Sequence, residues 1–215
     1  MIIFDLDGPI LDVSEKYYRV YSDILLNNDD SPLSKDEYWS LKRSKTSNKL
    51  ILNKSNAKIN INKFFSEWKK NIELSEYIVY DKIQNGAYTI LQNLSKQLEL
   101  VLITLRSSKK NLIDELENLK LIEYFSYIYT PEFEITPRWK MKKDLIDKYL
   151  SDKIGNNCFL VGDTETDVIA GKKSRIKTVL ISNGIRNPDI IINENPTHIF
   201  PNIQKFYLWF INENR

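Results

Sequence analysis

The stretch IIFDLDGPILD, residues 2–12, runs three apolar residues into two acids, Asp5 and Asp7, with one leucine between them and Gly8-Pro9 directly after. Such an opening is what a buried strand needs. The two like charges at its end are not. A strand tip is a costly place for clustered carboxylates unless something positive sits with them. What the rest of the chain brings to that tip therefore decides both fold and chemistry.

Three further apolar runs share this character: LELVLIT (98–104), NCFLVGD (157–163) and KTVLIS (177–182). With MIIFDL (1–6) they read as parallel strands, apolar on both faces because helices cover both sides. YFSYIYT (124–130) is a weaker fifth, and THIF (197–200) a short edge strand. Helical patterns lie between them at 83–97, 107–121, 136–150, 163–173 and 201–212. Ser107 and Ser108 can cap the second of these, and Thr136-Pro137 gives the third an N-cap followed by a first-turn proline. Strand–helix alternation predicts an α/β fold, a doubly wound, Rossmann-like parallel sheet.

One interval breaks the rhythm. Residues 13–81 contain no good strand and read as helices over 13–28, 34–54 and 61–74. That is too long for a loop inside a compact domain. The expectation is a core of residues 1–12 plus 82–215, with 13–81 inserted as a small helical cap domain.

Bulk properties narrow the function. A formal net charge of +2 over 215 residues, with basic residues scattered in pairs, argues against a nucleic-acid partner or a membrane surface. No apolar run reaches the roughly 20 residues a bilayer crossing needs, and Met1 leads straight into the strand, so the cytoplasm is the expected location. A single cysteine, Cys158, excludes an intramolecular disulfide and reads as core. The one histidine, His198, is far from it in sequence, so Cys-His or Ser-His-Asp catalysis is not expected.

Open α/β sheets bind ligands at the carboxyl ends of their strands. There the first strand delivers Asp5 and Asp7, the second Thr104 followed by Leu105 and Arg106, and the third Asp163, with Asp167 one turn into the next helix. Such carboxylates are hard ligands suited to magnesium, which usually binds through a few carboxylates plus substrate phosphate. One of Asp5 and Asp7 can attack phosphorus, and the other can shuttle a proton. Gly8 permits a tight turn, and nearby amides and Thr104 can hold phosphoryl oxygens. A lysine of WKMKK can offset the charge on the transferred group. In the helical insert, Arg19, Lys42 and Arg43 stand among aromatics, and Arg19 and Arg43 are candidates for phosphate recognition.

FDLDGPILD, LVLIT and LVGDTETD together resemble the haloacid dehalogenase-type (HAD-like) phosphohydrolases, of the phosphoglycolate phosphatase-like kind with a small helical cap. The motifs stand in the family's order, and the resemblance spans essentially the whole chain. It implies a magnesium-dependent phosphatase for a small phosphorylated metabolite. Asp5 is then the nucleophile that becomes phosphoaspartate, and Asp7 the general acid/base that lends its carbonyl to the metal. Asp163 is a metal ligand, and Asp167 binds the metal through water or anchors the lysine. Thr104 then holds a phosphoryl oxygen; Leu105 departs from the asparagine that often follows that threonine, and Leu105, Arg106 and Gly8 join the candidate phosphate site by their position beside Thr104 and Asp7. The lysine motif departs from the family's lysine–proline pair, so Lys140, Lys142 and Lys143 compete. The spacing to Asp144 favours Lys142, while Lys140 fits the alternative spacing. A phosphomutase or a non-catalytic partner protein on the same scaffold are the rival readings.

Overall fold

The computed structural model describes residues 1–133, 136–155 and 157–213. In chain order the elements are β1 (Ile2–Phe4), β2 (Leu11–Asp12), α1 (Ser14–Leu26), α2 (Lys35–Arg43), α3 (Asn48–Lys54), α4 (Ile61–Asn71), α5 (Ser75–Ile78), β3 (Lys82–Ile83), α6 (Ala87–Ser95), β4 (Leu100–Ile103), α7 (Lys109–Asn118), β5 (Tyr127–Tyr129), α8 (Arg138–Leu150), β6 (Phe159–Gly162), α9 (Glu165–Lys173), β7 (Lys177–Ile181), α10 (Pro188–Ile191), β8 (His198–Phe200) and α11 (Ile203–Glu213). The chain divides into two compact units, residues 1–12 with 83–215, and residues 13–82.

The larger unit is built on a six-stranded sheet in the order β5-β4-β1-β6-β7-β8, and every pairing is parallel. It is the doubly wound α/β architecture that the alternation predicts. β1 sits centrally and is fully buried on both faces, which accounts for its unbroken apolar run. Its register aligns Phe4 with Leu102 of β4 and with Val161 of β6. One apolar layer joins Ile3, Val101 and Leu160 to Leu145 and Ile146 of α8 and Ala170 of α9. Cys158 belongs to it, and burial pushes its thiol up to about 11, which suits packing rather than nucleophilic attack. His198 lies on the edge strand β8 with its ring against Trp209. Among the described residues, no helix is long and apolar enough to cross a membrane.

The smaller unit is helical, with an apolar core of Val20, Tyr21, Ile24, Tyr38, Ile51 and Phe64 and a stacked Tyr21–Tyr38 pair at 4.3 Å. The single helix predicted over 34–54 is two, α2 and α3. The backbone turns left-handed at Lys45, and the Ser47 side chain accepts the Leu50 N–H to cap α3. At the other sequence-predicted cap, Pro137 rather than Thr136 holds the N-cap position of α8, without a side-chain cap hydrogen bond. Asp30 accepts the N–H groups of Lys58 and Ile59 and ties down that connection. Arg19 pairs with Glu15 at 2.7 Å, and Lys42 stands over the rings of Tyr17 and Trp68.

Within this unit Lys16 of α1 and Asp81 form a fully buried ion pair at 2.5 Å, 65 residues apart in sequence. Removing one partner strands the other's charge out of water. Asp81→Ala is expected to cost about 3–5 kcal/mol in urea unfolding. Lys16→Met with Asp81→Leu should recover most of that loss. A loss under about 1 kcal/mol for Asp81→Ala would show that the pair is not what holds these segments.

Candidate active site

The chemistry-bearing residues lie just past the carboxyl ends of three adjacent strands. β1 ends at Phe4, two residues short of the run read from sequence. The ladder nonetheless carries one step further, since the Asp5 N–H donates to the Val161 carbonyl at 2.9 Å. The chain then turns: Ile10 and Leu11 both donate to the Leu6 carbonyl, and Gly8 donates to Leu11. Asp5 and Asp7 therefore do not owe their placement to strand alternation, because the second acid sits in a turn.

Asp5 faces Lys142 on α8, whose Nζ donates to Asp5 Oδ1 at 2.7 Å and to Asp167 Oδ1 at 2.5 Å. Lys142 is almost fully buried. Burial works against its charge, yet Asp167 and Asp5 outweigh that and raise its pKa. Lys140 is exposed, and Lys143 pairs with Asp147 on the helix surface. Of the three candidate lysines, only Lys142 joins the carboxylates. Burial, with help from Asp167 and Asp7, raises Asp5 to about 7 even though Lys142 pulls the other way.

Asp167 is doubly committed. Its Oδ1 holds Lys142, while its Oδ2 accepts from the Thr164 hydroxyl at 2.8 Å and from the Thr164 and Asp163 N–H groups. It fixes the first turn of α9 and aims the lysine, and its negative charge suits the helix N-terminus.

Asp163 is fully buried. Its Oδ2 accepts the Ile185 N–H, and its Oδ1 has no hydrogen-bond partner among the described residues. The carboxyl is packed so tightly that a Cβ on Gly8 would come within 2.0 Å of it and one on Gly184 within 2.1 Å. Gly8 also has φ +108°, a conformation that side chains resist. Burial first, then Asp167 and Asp5, holds Asp163 well above the ordinary carboxylate range. Oxygens of Asp5, Asp163 and Asp167 lie within 4.8 Å of one another. Three converging carboxylates, one with an orphaned buried oxygen, fit a hard divalent cation such as magnesium.

Asp7 lies outside that trio. Arg106 grips it side-on, Nη2 to Oδ1 at 2.5 Å and Nε to Oδ2 at 3.3 Å, and its Nη1 donates to Glu115 of α7. Thr104 is buried and extends the β4–β5 ladder through its N–H to the Tyr129 carbonyl at 3.2 Å. The Leu105 side chain packs on the apolar layer under α8, so only its backbone can serve a phosphate. The Gly8 N–H is already spent on Leu11, so this glycine contributes room rather than a donor. Glu115 is absent from the sequence-based site. Its signal is an acid in the stripe of Leu112, Leu116 and Leu119, at positions a buried helix face reserves for apolar residues.

Residues 2–181 match the family model described as haloacid dehalogenase-like hydrolase. No curated protein matches the chain. Among solved structures, a predicted phosphatase from Clostridium acetobutylicum aligns with a TM-score of 0.73 at 18% identity, covering 98% of this chain and 97% of that one. A predicted phosphoglycolate phosphatase from Haemophilus somnus 129pt aligns at 0.73 and 17% identity, covering 96% and 95%. A Thermotoga maritima protein provisionally assigned as a beta-phosphoglucomutase aligns at 0.70 and 15%, covering 99% and 98%. At such identities these likenesses establish the fold, and the family rests on the model that spans most of the sequence. The chain belongs to the haloacid dehalogenase-like hydrolase family.

Proposed function

We propose that this hydrolase is a magnesium-dependent phosphatase that cleaves a small phosphomonoester metabolite through a phosphoaspartate on Asp5. The observation that carries the reading is Asp5 bound by the buried Lys142, beside the orphaned Asp163 oxygen, at the tip of the central strand. The phosphatase names of two structural neighbours agree with it. Asp5, Asp163 and the Asp7 carbonyl would hold the cation, with Asp167 reaching it through water. When bound, magnesium neutralises phosphoryl charge and orients the group for in-line displacement.

The chain's own residues supply the rest. A carboxylate oxygen of Asp5 forms a bond to phosphorus as the ester P–O bond breaks. The electron pair leaves with the ester oxygen, which takes a proton from Asp7. Water then attacks phosphorus and returns a proton to Asp7, and the Asp5–phosphorus bond breaks to free phosphate. Lys142 balances charge at Asp5 throughout, and Thr104 holds a phosphoryl oxygen. The inserted helices would select the substrate. A phosphomutase is the second reading, favoured by the Thermotoga neighbour's name. Isomerised sugar phosphate with little free phosphate would establish it.

A panel of phosphorylated metabolites, assayed with and without magnesium, tests the activity. Asp5→Asn should lower turnover at least about a thousandfold, since losing a nucleophile removes the whole covalent route. Lys142→Met should lower kcat about 10²- to 10³-fold, the usual loss for one charge-stabilising group. A folded Asp5→Asn protein that keeps its turnover would remove the assignment.

Magnesium binding should also appear as stability. At 100 times its Kd it adds about 2.7 kcal/mol, or roughly 5–10 °C of Tm for a chain of this size. Asp163→Asn should abolish the shift. The pH dependence follows from the raised carboxylates. A proton competes with the cation for Asp5, whose pKa is about 7, and for Asp163, which is raised too. The shift should therefore be full above pH 8 and shrink as pH falls through 7. A shift that is constant from pH 8 to 6 in differential scanning fluorimetry would contradict this.

A further inference from the structure

The guanidinium of Arg106 lies on the carboxylate that the proposed chemistry uses as acid and base. Its side chain is 5% exposed, and that of its other partner, Glu115, is 4% exposed. Two donors go to Asp7 and a third to Glu115, so one planar group joins the turn after β1 to the middle of α7. A buried Arg–carboxylate contact made through two nitrogens fixes orientation as well as charge. A lysine would bring a point charge without that directional hold. A buried acid in the apolar stripe of a helix is expensive unless it has a partner, and Glu115 has one in Arg106.

We propose that Arg106, held by Glu115, is a positioning residue that sets the direction in which the Asp7 carboxyl presents its proton to the leaving oxygen. Contact with both carboxylate oxygens, Nη2 on Oδ1 at 2.5 Å and Nε on Oδ2 at 3.3 Å, fixes the plane of the Asp7 carboxyl. Asp5 is served separately by Lys142, so losing Arg106 leaves the attacking carboxylate and its cation in place. Proton delivery, not phosphoryl binding or attack, is then what Arg106 governs. The inference rests on the phosphatase reading.

Leaving-group dependence isolates that step. Acidic nitrophenols leave with little help from an acid, whereas phenol needs its oxygen protonated. Steady-state kinetics with magnesium on aryl phosphates from p-nitrophenyl to phenyl phosphate should be run for wild type, Asp7→Asn, Arg106→Lys and Glu115→Gln. Arg106→Lys should lose about tenfold more kcat on phenyl phosphate than on p-nitrophenyl phosphate, within the roughly 10²- to 10⁴-fold span of general acid catalysis. KM should change less than about twofold. Asp7→Asn should show the same tilt more strongly. Glu115→Gln, which can still accept from Arg106, should show it weakly; if Arg106→Lys does not fold by circular dichroism, Glu115→Gln decides alone.

An equal loss across the series overturns the positioning role and leaves the phosphatase reading standing. So does a loss expressed mainly in KM, which would put Arg106 on the substrate phosphoryl group. A wild-type protein that hydrolyses neither these esters nor any member of the metabolite panel overturns the phosphatase reading, and this inference with it.

Discussion

Like charges at the end of a buried strand must be neutralised by something other than the strand. That constraint shapes this site. β1 ends against Asp5 and Asp7, and each acid receives its own buried cation from a different part of the sheet's covering layer: Lys142 from α8, and Arg106 from the segment between β4 and α7. Each cation is in turn held by a further acid, Asp167 for the lysine and Glu115 for the arginine. Two carboxylates two residues apart thus occupy separate electrostatic settings. Such separation is what lets one of a pair attack while its neighbour moves protons.

Parallel topology makes the arrangement possible. With β4 and β6 flanking β1 in parallel, residues 98 and 157 positions away in sequence reach the same rim by register alone, as Phe4 opposite Leu102 and Val161 shows. The crowding this produces is absorbed by glycines. Gly8 and Gly184 leave space that the Asp163 carboxyl fills, and Gly162 does the same for Asp167. Any side chain at these points would displace a carboxylate, so the metal-site reading and the backbone geometry make the same demand of the sequence.

The sheet was legible because its signal is local. Apolar runs bounded by turns mark buried strands whatever surrounds them, and Asp5 and Asp163 directly follow two such strands, while Lys142 lies in the second turn of α8. Element ends were read less well. The end of β1, the break between α2 and α3 and the cap of α8 depend on hydrogen bonds such as Ser47 with Leu50, which composition does not announce. Partner identity was the least legible. Arg106 follows Thr104 in sequence, but its partner Asp7 is 99 residues away and is set by packing. Glu115 could have been suspected only as a charge out of place on an apolar helix face.

The charge balance of the finished cluster carries the argument one step further. Asp5, Asp7, Glu115, Asp163 and Asp167 supply five negative charges when ionised, and Lys142 and Arg106 return two. Among these seven described side chains, three negative charges remain over. The protein alone can relieve this by keeping protons on Asp5 and Asp163, which is the direction in which both are shifted. A divalent cation would relieve most of it without protons and, on the proposed mechanism, would free Asp5 to act as the nucleophile. The two acids that burial raises are therefore the ones a cation would convert, and on the proposed mechanism metal binding and activation of Asp5 would be one electrostatic event rather than two.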